Sequence, residues 1–148
     1  MIGQFEGAIQ QLASLAALMP IVASIGGNTA NQTMALVIRA LAVDRLQAGN
    51  ARRLMRKELA ISLMNGTVWG LVIGLFAVTL YASVTLGLVM SGAVILNLIV
   101  AALAGVAIPV SLHASGRDPA HGSSVLLTFI TDAMGFFFFL GLATVFLV

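Results

Sequence analysis

The sequence is short of charge before anything else. Of its 148 residues only 8% are charged, seven Lys or Arg and five Asp or Glu, where a soluble domain carries about a quarter. A soluble fold this poor in charge could not cover its own surface, so the 60% of hydrophobic residues must be covered by lipid. Cysteine is absent, which excludes a disulfide framework and a thiolate metal site. The start does not read as a secretory leader: it is polar (Gln4, Glu6, Gln10, Gln11) and lacks a basic n-region. No Ser/His/Asp set, phosphate-cradling loop or zinc spacing occurs, so nothing argues for an enzyme. Neither an internal repeat nor a second domain is visible.

The charges that exist are unevenly placed. Arg39, Arg45, Arg52, Arg53, Arg56 and Lys57 fall in one short segment, and only Arg117 lies outside it. Basic clusters can serve nucleic acid. This one is wedged between apolar stretches, and the positive-inside rule puts it in the cytoplasm instead. A span needs about 20 mostly apolar residues. Gly7 to Ile38 carries no charge, with an apolar half (Leu12–Ile25), the polar and small run Gly26 to Gln32, and an apolar tail to Ala42. This reads as one long helix, kinked near Pro20 or the glycine pair. Residues 43–58 read as a charged amphipathic connector, helical on the membrane surface. Leu59 to Gly116 is again uncharged, enough for two spans. Their turn is placed at Tyr81 to Thr85, because Tyr81 suits an interface. Arg117-Asp118-Pro119 breaks the next helix, with Asp118 as N-cap and Pro119 at the first helical position.

The expected fold class is an all-α membrane protein of about four transmembrane helices. They form a single pore domain with spans roughly at 9–42, 60–80, 86–112 and 123–147. With 43–58 and 113–122 cytoplasmic, both termini face outward, and the two basic loops agree on that orientation.

Asp132 stands about nine residues into the last span, about 14 Å deep at about 1.5 Å per residue, near the middle of a hydrocarbon core about 30 Å thick. A carboxylate there costs about 2.5–3.5 kcal/mol or more, and no Lys or Arg lies mid-span to pair with it. It must be protonated, face water or bind a cation. Residues four apart share a helix face, so Ser124, Thr128 and Asp132 make one stripe, which Gly135 continues, beside the bulk of Phe136 to Phe139. That stripe resembles one wall of an aqueous path; the competing reading is a protonated Asp acting as interhelical glue. The run Gly26, Gly27, Asn28, Asn31 and Gln32 offers close helix approach and amide oxygens that suit hard cations, or ordinary small-residue packing.

One Asp is too little charge for a divalent ion, but a two-fold homodimer would face two Asp132 carboxylates across its axis. Such a pair, with carbonyls, could hold Mg²⁺ with its waters still on. His113 and His121 flank the Arg117 loop as solvated residues rather than ligands. Glu6 stands at the outer mouth or in a frayed terminus, and Glu58 with Arg56 and Lys57 forms an interfacial ion-pair cluster.

From Pro20 through Gly26-Gly27-Asn28-Thr29-Ala30-Asn31-Gln32 the chain resembles the MgtE family of magnesium channels. The likeness continues through Val37 to Ala42, Arg56-Lys57-Glu58-Leu59, Asn65-Gly66, Asp118-Pro119-Ala120 and Thr128-Phe129-Ile130-Thr131-Asp132. It implies a homodimer whose pore runs along the two-fold axis, lined by the glycine-pair helix and the last helix. It implies that Asp132 selects hydrated Mg²⁺ with backbone carbonyls near Thr128, and that Asn31, Ser124 and the glycine pair lie near the cytoplasmic gate. Asn28, Gln32, Thr131 and Gly135 join the pore and gate set on the same footing. The family's cytoplasmic sensing domains and first transmembrane helix have no counterpart here, save Phe5-Glu6 as that helix's tail. The expectation is therefore a pore-only relative, a partner of another chain, or a truncated piece of a longer protein. The sequence also departs at His113 or Ala114, where the family carries a basic residue, and at Val125, where it carries Pro.

The expected function is passive Mg²⁺ passage across a bacterial inner membrane. Mg²⁺ is then the transported ion, Mn²⁺ or Co²⁺ are alternatives, lipid and a second copy are partners, and nucleic acid is not. A proton- or sodium-coupled carrier using Asp132, and a non-transporting membrane subunit, stay open.

Overall fold

A computed structural model describes residues 3–43 and 48–147, with side chains over 13–43 and 50–147. Asp44, Arg45 and the Glu6 side chain lie outside that description. Four helices follow one another: α1 (Gly3–Ala42), α2 (Ala48–Tyr81), α3 (Val84–Ala114) and α4 (Ser123–Leu147). Each is long and apolar enough to cross a membrane, and among the described residues there is no strand. The chain is a multi-pass, all-α membrane protein.

The central element is α3. It packs on α1, α2 and α4, whereas α2 barely meets α1 and, among the described residues, does not meet α4. Its buried residues, from Leu86 and Val89 round to Val106 and Pro109, lie on several faces, as a surrounded helix requires. The largest core cluster joins Leu15, Leu18 and Val22 of α1 to Met90, Val94 and Leu98 of α3 and Phe139 of α4. Toward the other end of the bundle, Val37 and Leu41 meet Val106.

α2 and α3 form the tightest pair, and glycine explains why. Gly66, Gly70 and Gly74 recur every fourth residue along the buried face of α2. A Cβ on Gly66 would stand 3.2 Å from the Ile95 Cα, and one on Gly70 3.0 Å from the Ser91 carbonyl oxygen. With no hydrophobic drive between helices in lipid, such small-residue seams hold spans together through close backbone contact. The Ser91 hydroxyl crosses the seam, 2.7 Å from the Gly70 carbonyl and 3.0 Å from that of Gly87. The outward face of α2 carries exposed Met64, Val68, Trp69, Leu75 and Phe76, which suits lipid.

The α2–α3 break is Ala82-Ser83, inside the 81–85 window expected from the sequence. Ala82 takes a left-handed φ of 49°, and Ser83 caps α3 by accepting a hydrogen bond from the Leu86 amide at 3.2 Å. α3 ends in a Schellman closure: the Arg117 amide donates to the Leu112 carbonyl, and Gly116, at φ +76°, donates to that of His113.

Two local expectations are corrected. The charged stretch is no separate surface helix over its described part, because α2 is continuous from Ala48 and residues 50–58 are its first turns. Asp118 does not cap α4, which begins at Ser123. Its carboxylate closes a local turn instead, accepting from the Ala120 amide at 3.0 Å. Proline at 119 signalled a helix start, but Gly122, at φ +79°, breaks the chain again just before α4.

Candidate functional site

The α1–α4 seam carries most of the residues singled out by the sequence. Its lower rung is a side-chain bond: the Ser124 hydroxyl donates to Asn31 Oδ1 at 3.2 Å, and Asn31 Nδ2 donates to the Gly27 carbonyl at 3.0 Å. One step along, Gly27 faces Thr131, whose Oγ1 lies 3.6 Å from where a Gly27 Cβ would be. Thr131 is fully buried, and its hydroxyl stands 2.9 Å from the Leu127 carbonyl and 3.2 Å from that of Thr128. Farther along, Gly26 and Gly135 both face the Asn97 amide of α3, and Gly135 also faces the Ala23 backbone. Glycine at these positions is what lets two helix backbones approach.

α4 divides into two stripes. Leu127, Thr131, Gly135, Phe139 and Ala143 are buried, at strict four-residue spacing. Ser124 and Thr128 are exposed, and Asp132 on the same stripe is half-buried. Gly135 therefore does not continue the Ser124–Asp132 stripe. A helix turns 3.6 residues per cycle, so three residues past Asp132 falls on the neighbouring, inward stripe with Thr131.

Among the described residues no hydrogen bond or ion pair reaches the Asp132 carboxylate. Nor do three His, Asp or Glu side chains gather anywhere among them. Among the described residues one chain thus presents a single carboxylate at mid-span.

α1 divides likewise, and the glycine-pair motif is split by it. Gly27 and Asn31 turn to α4, while Gly26, Ala30 and Thr33 turn inward. Asn28 and Gln32 turn the other way. With Ser24 and Thr29 they line a groove of about 600 Å³ whose far wall is Asn65, Trp69 and Ile73 of α2. The motif's amides therefore do not converge within one chain.

The remaining described acids, Glu58 and Asp118, and the two histidines are peripheral to this seam. His121 Nδ1 lies 3.3 Å from the Asp118 carboxylate, with both side chains largely exposed, a pairing of little energetic weight. His113 is exposed at the end of α3. Glu58 departs from expectation. It is buried and accepts a hydrogen bond from Thr33 Oγ1 at 3.1 Å, while Arg56 and Lys57 are exposed. The interfacial ion-pair cluster does not form, because Glu58 starts the inward face that Ser62, Gly66 and Gly70 continue.

Sequence reasoning missed Asn97 and Thr33. The available signal for Asn97 was a single amide inside a long apolar run, Leu86 to Ile108, where a polar group must find a partner. Thr33 gave no signal, since a threonine in a helix satisfies itself on its own backbone.

The family model for MgtE, described as a divalent cation transporter, matches residues 19–142. The chain is 33% identical over 146 residues to the magnesium transporter MgtE of Bacillus subtilis (strain 168), covering 99% of this chain and 32% of that protein. Against the magnesium transporter MgtE of Thermus thermophilus it is 33% identical over 140 residues, covering 94% and 31%. Against that of Enterococcus faecalis the identity is 28% over 147 residues, covering 99% and 32%. The chain spans about a third of the length of these curated relatives. Since the family match takes in both the glycine-pair motif and most of the helix bearing Asp132, the chain belongs to the MgtE family of divalent cation transporters.

Proposed function

We propose that this chain forms the ion path of a Mg²⁺ channel, with hydrated Mg²⁺ held between two Asp132 carboxylates at the axis of a homodimer. The single observation that carries this reading is the state of Asp132. It is half-buried mid-span on the open stripe of α4, in line with exposed Ser124 and Thr128, and meets no partner among the described residues. A carboxylate in that setting demands water or a cation. A second copy doubles the charge and faces one stripe with another. Two carboxylates and the waters of the ion fit the octahedral oxygen shell Mg²⁺ prefers. The Thr128 carbonyl supplies a further oxygen, aimed by the Thr131 hydroxyl against it. Gly27, Asn31 and Ser124 form the gate end of the path. Gly26, Thr131 and Gly135 set the wall from inside, and Asn28 and Gln32 act from the α2 side.

The glue reading would have Asp132 bonded to a neighbouring helix, and within the described chain no such bond exists. The basic start of α2 and the Arg117 loop after α3 fall at the same end of the bundle, since α2 and α3 run antiparallel. That end faces the cytoplasm by the positive-inside rule, with both termini outside and a bacterial inner membrane as the site. That the similar proteins from Bacillus subtilis and Thermus thermophilus are magnesium transporters favours Mg²⁺ over Mn²⁺ or Co²⁺ as the ion carried.

The test is Asp132→Asn in liposomes loaded with a Mg²⁺-sensitive dye. Selective Mg²⁺ flux should be lost, and wild-type flux with unchanged selectivity would end the proposal. Wild-type flux should also persist without a proton or sodium gradient; flux that collapses there would instead identify a coupled carrier.

A further inference from the structure

Asn97, in the middle of α3, is fully buried, and its Oδ1 is the one buried side-chain nitrogen or oxygen among the described residues with no hydrogen-bond partner. Its Nδ2 donates to the Val22 carbonyl of α1 at 3.0 Å. The carbonyl can only accept, so the NH₂ must face it and the oxygen is left over. A leucine here would fill space without stranding an oxygen, so an unpaired buried atom calls for a reason.

The surroundings supply one. A Cβ on Gly26 would collide with the amide, 2.8 Å from Cγ, and a Cβ on Gly135 would stand 2.9 Å from Nδ2 and 3.3 Å from the Ala23 Cα. The amide head thus fills the point where α1 and α4 are both reduced to bare backbone. Its N–H holds α1 at a fixed register, and its bulk stops α4 from closing further. Gly135 is less than one turn beyond Asp132, on a helix stiff enough to pass any shift along.

We propose that Asn97 is a positioning residue for the ion site: by spacing α4 from α1 it sets where the Asp132 carboxylate stands. The inference rests on the reading of Asp132 as the ion-selecting acid. Groups that orient a metal-binding residue change affinity by about 10–100-fold when removed, and a site tolerates displacements of only about 0.5 Å.

The test compares Asn97→Ala with the wild-type chain in liposomes, reading the ratio of Mg²⁺ to Ca²⁺ flux. A ratio does not depend on how much of the variant folds, so a merely structural role would lower total flux and leave it alone. The expected result is a fall in the ratio of about tenfold or more. An unchanged ratio, with flux reduced only in proportion to folded protein, overturns the proposal. If Asn97→Ala yields too little flux to read, Asn97→Ser, which shortens the same side chain and keeps a polar group, is judged by the same two outcomes. Asp132→Asn runs alongside. If it keeps the wild-type ratio, the ion-site reading itself fails. If it loses the ratio while Asn97→Ala keeps it, only the role of Asn97 fails.

Discussion

Replacing Gly74 by alanine should loosen the α2–α3 pair, and the structure sets the size of the effect. The new Cβ would stand 2.8 Å from the Gly87 carbonyl oxygen and collide with the Ser91 hydroxyl. The hydroxyl can rotate away, at the cost of its bonds to the Gly70 and Gly87 carbonyls. The Gly87 oxygen is backbone and cannot, so the helices must part by about 0.5 Å to restore an ordinary C···O contact. Overpacking of this kind costs about 1–3 kcal/mol, and the lost hydrogen bond about 0.5–1.5 kcal/mol more. Alanine's better helix propensity returns about 1 kcal/mol. The net expectation is a loss of about 0.5–3.5 kcal/mol. Gly141→Ala is the matched control: a Cβ there meets nothing within 4 Å, so it keeps the gain of up to about 1 kcal/mol without the clash. Equilibrium unfolding in mixed micelles with rising SDS fraction, followed by circular dichroism, reads both. The reasoning is refuted if Gly74→Ala proves as stable as Gly141→Ala.

Other outcomes follow from single contacts. Thr33→Val removes the hydrogen bond that Thr33 gives to buried Glu58 and should destabilise by about 1–3 kcal/mol in the same unfolding assay. Ala82→Gly relieves a left-handed alanine in the α2–α3 turn and should stabilise by up to about 1–2 kcal/mol, seen as a raised melting temperature. Ser124→Ala breaks only an exposed bond to Asn31, so stability should change by less than about 1 kcal/mol, while any change in flux would mark the gate end of the path.

The helices, the short α2–α3 break and the mid-span acid were legible because each is local. A run of apolar residues has one outcome in lipid, and a lone carboxylate inside it stands out against its neighbours. What was not legible depends on who packs against whom. Asn97 finds Val22 across 75 residues of sequence, and Glu58 finds Thr33 across 25. The Arg56-Lys57-Glu58 cluster looked like a surface ion-pair set because all three residues are charged. The helix period separates them, turning Glu58 inward and the two bases out. Gly135 was assigned to the Asp132 stripe for the converse reason: a three-residue step lies between two faces, and only the neighbouring helix decides which one it joins. The Gly26–Gln32 motif shows the same limit. Its composition announced close helix approach, while the division of its amides between α4 and α2 came from the bundle.

The central claim is that two Asp132 carboxylates share one divalent ion. Crystals of the protein in lipid, grown with Mn²⁺ in place of Mg²⁺, test it through anomalous scattering. A single Mn²⁺ peak on a two-fold axis, equidistant from two Asp132 side chains, is the predicted result. An ordered Asp132 with no peak beside it, or a Mn²⁺ site held by one chain alone elsewhere in the bundle, would contradict it.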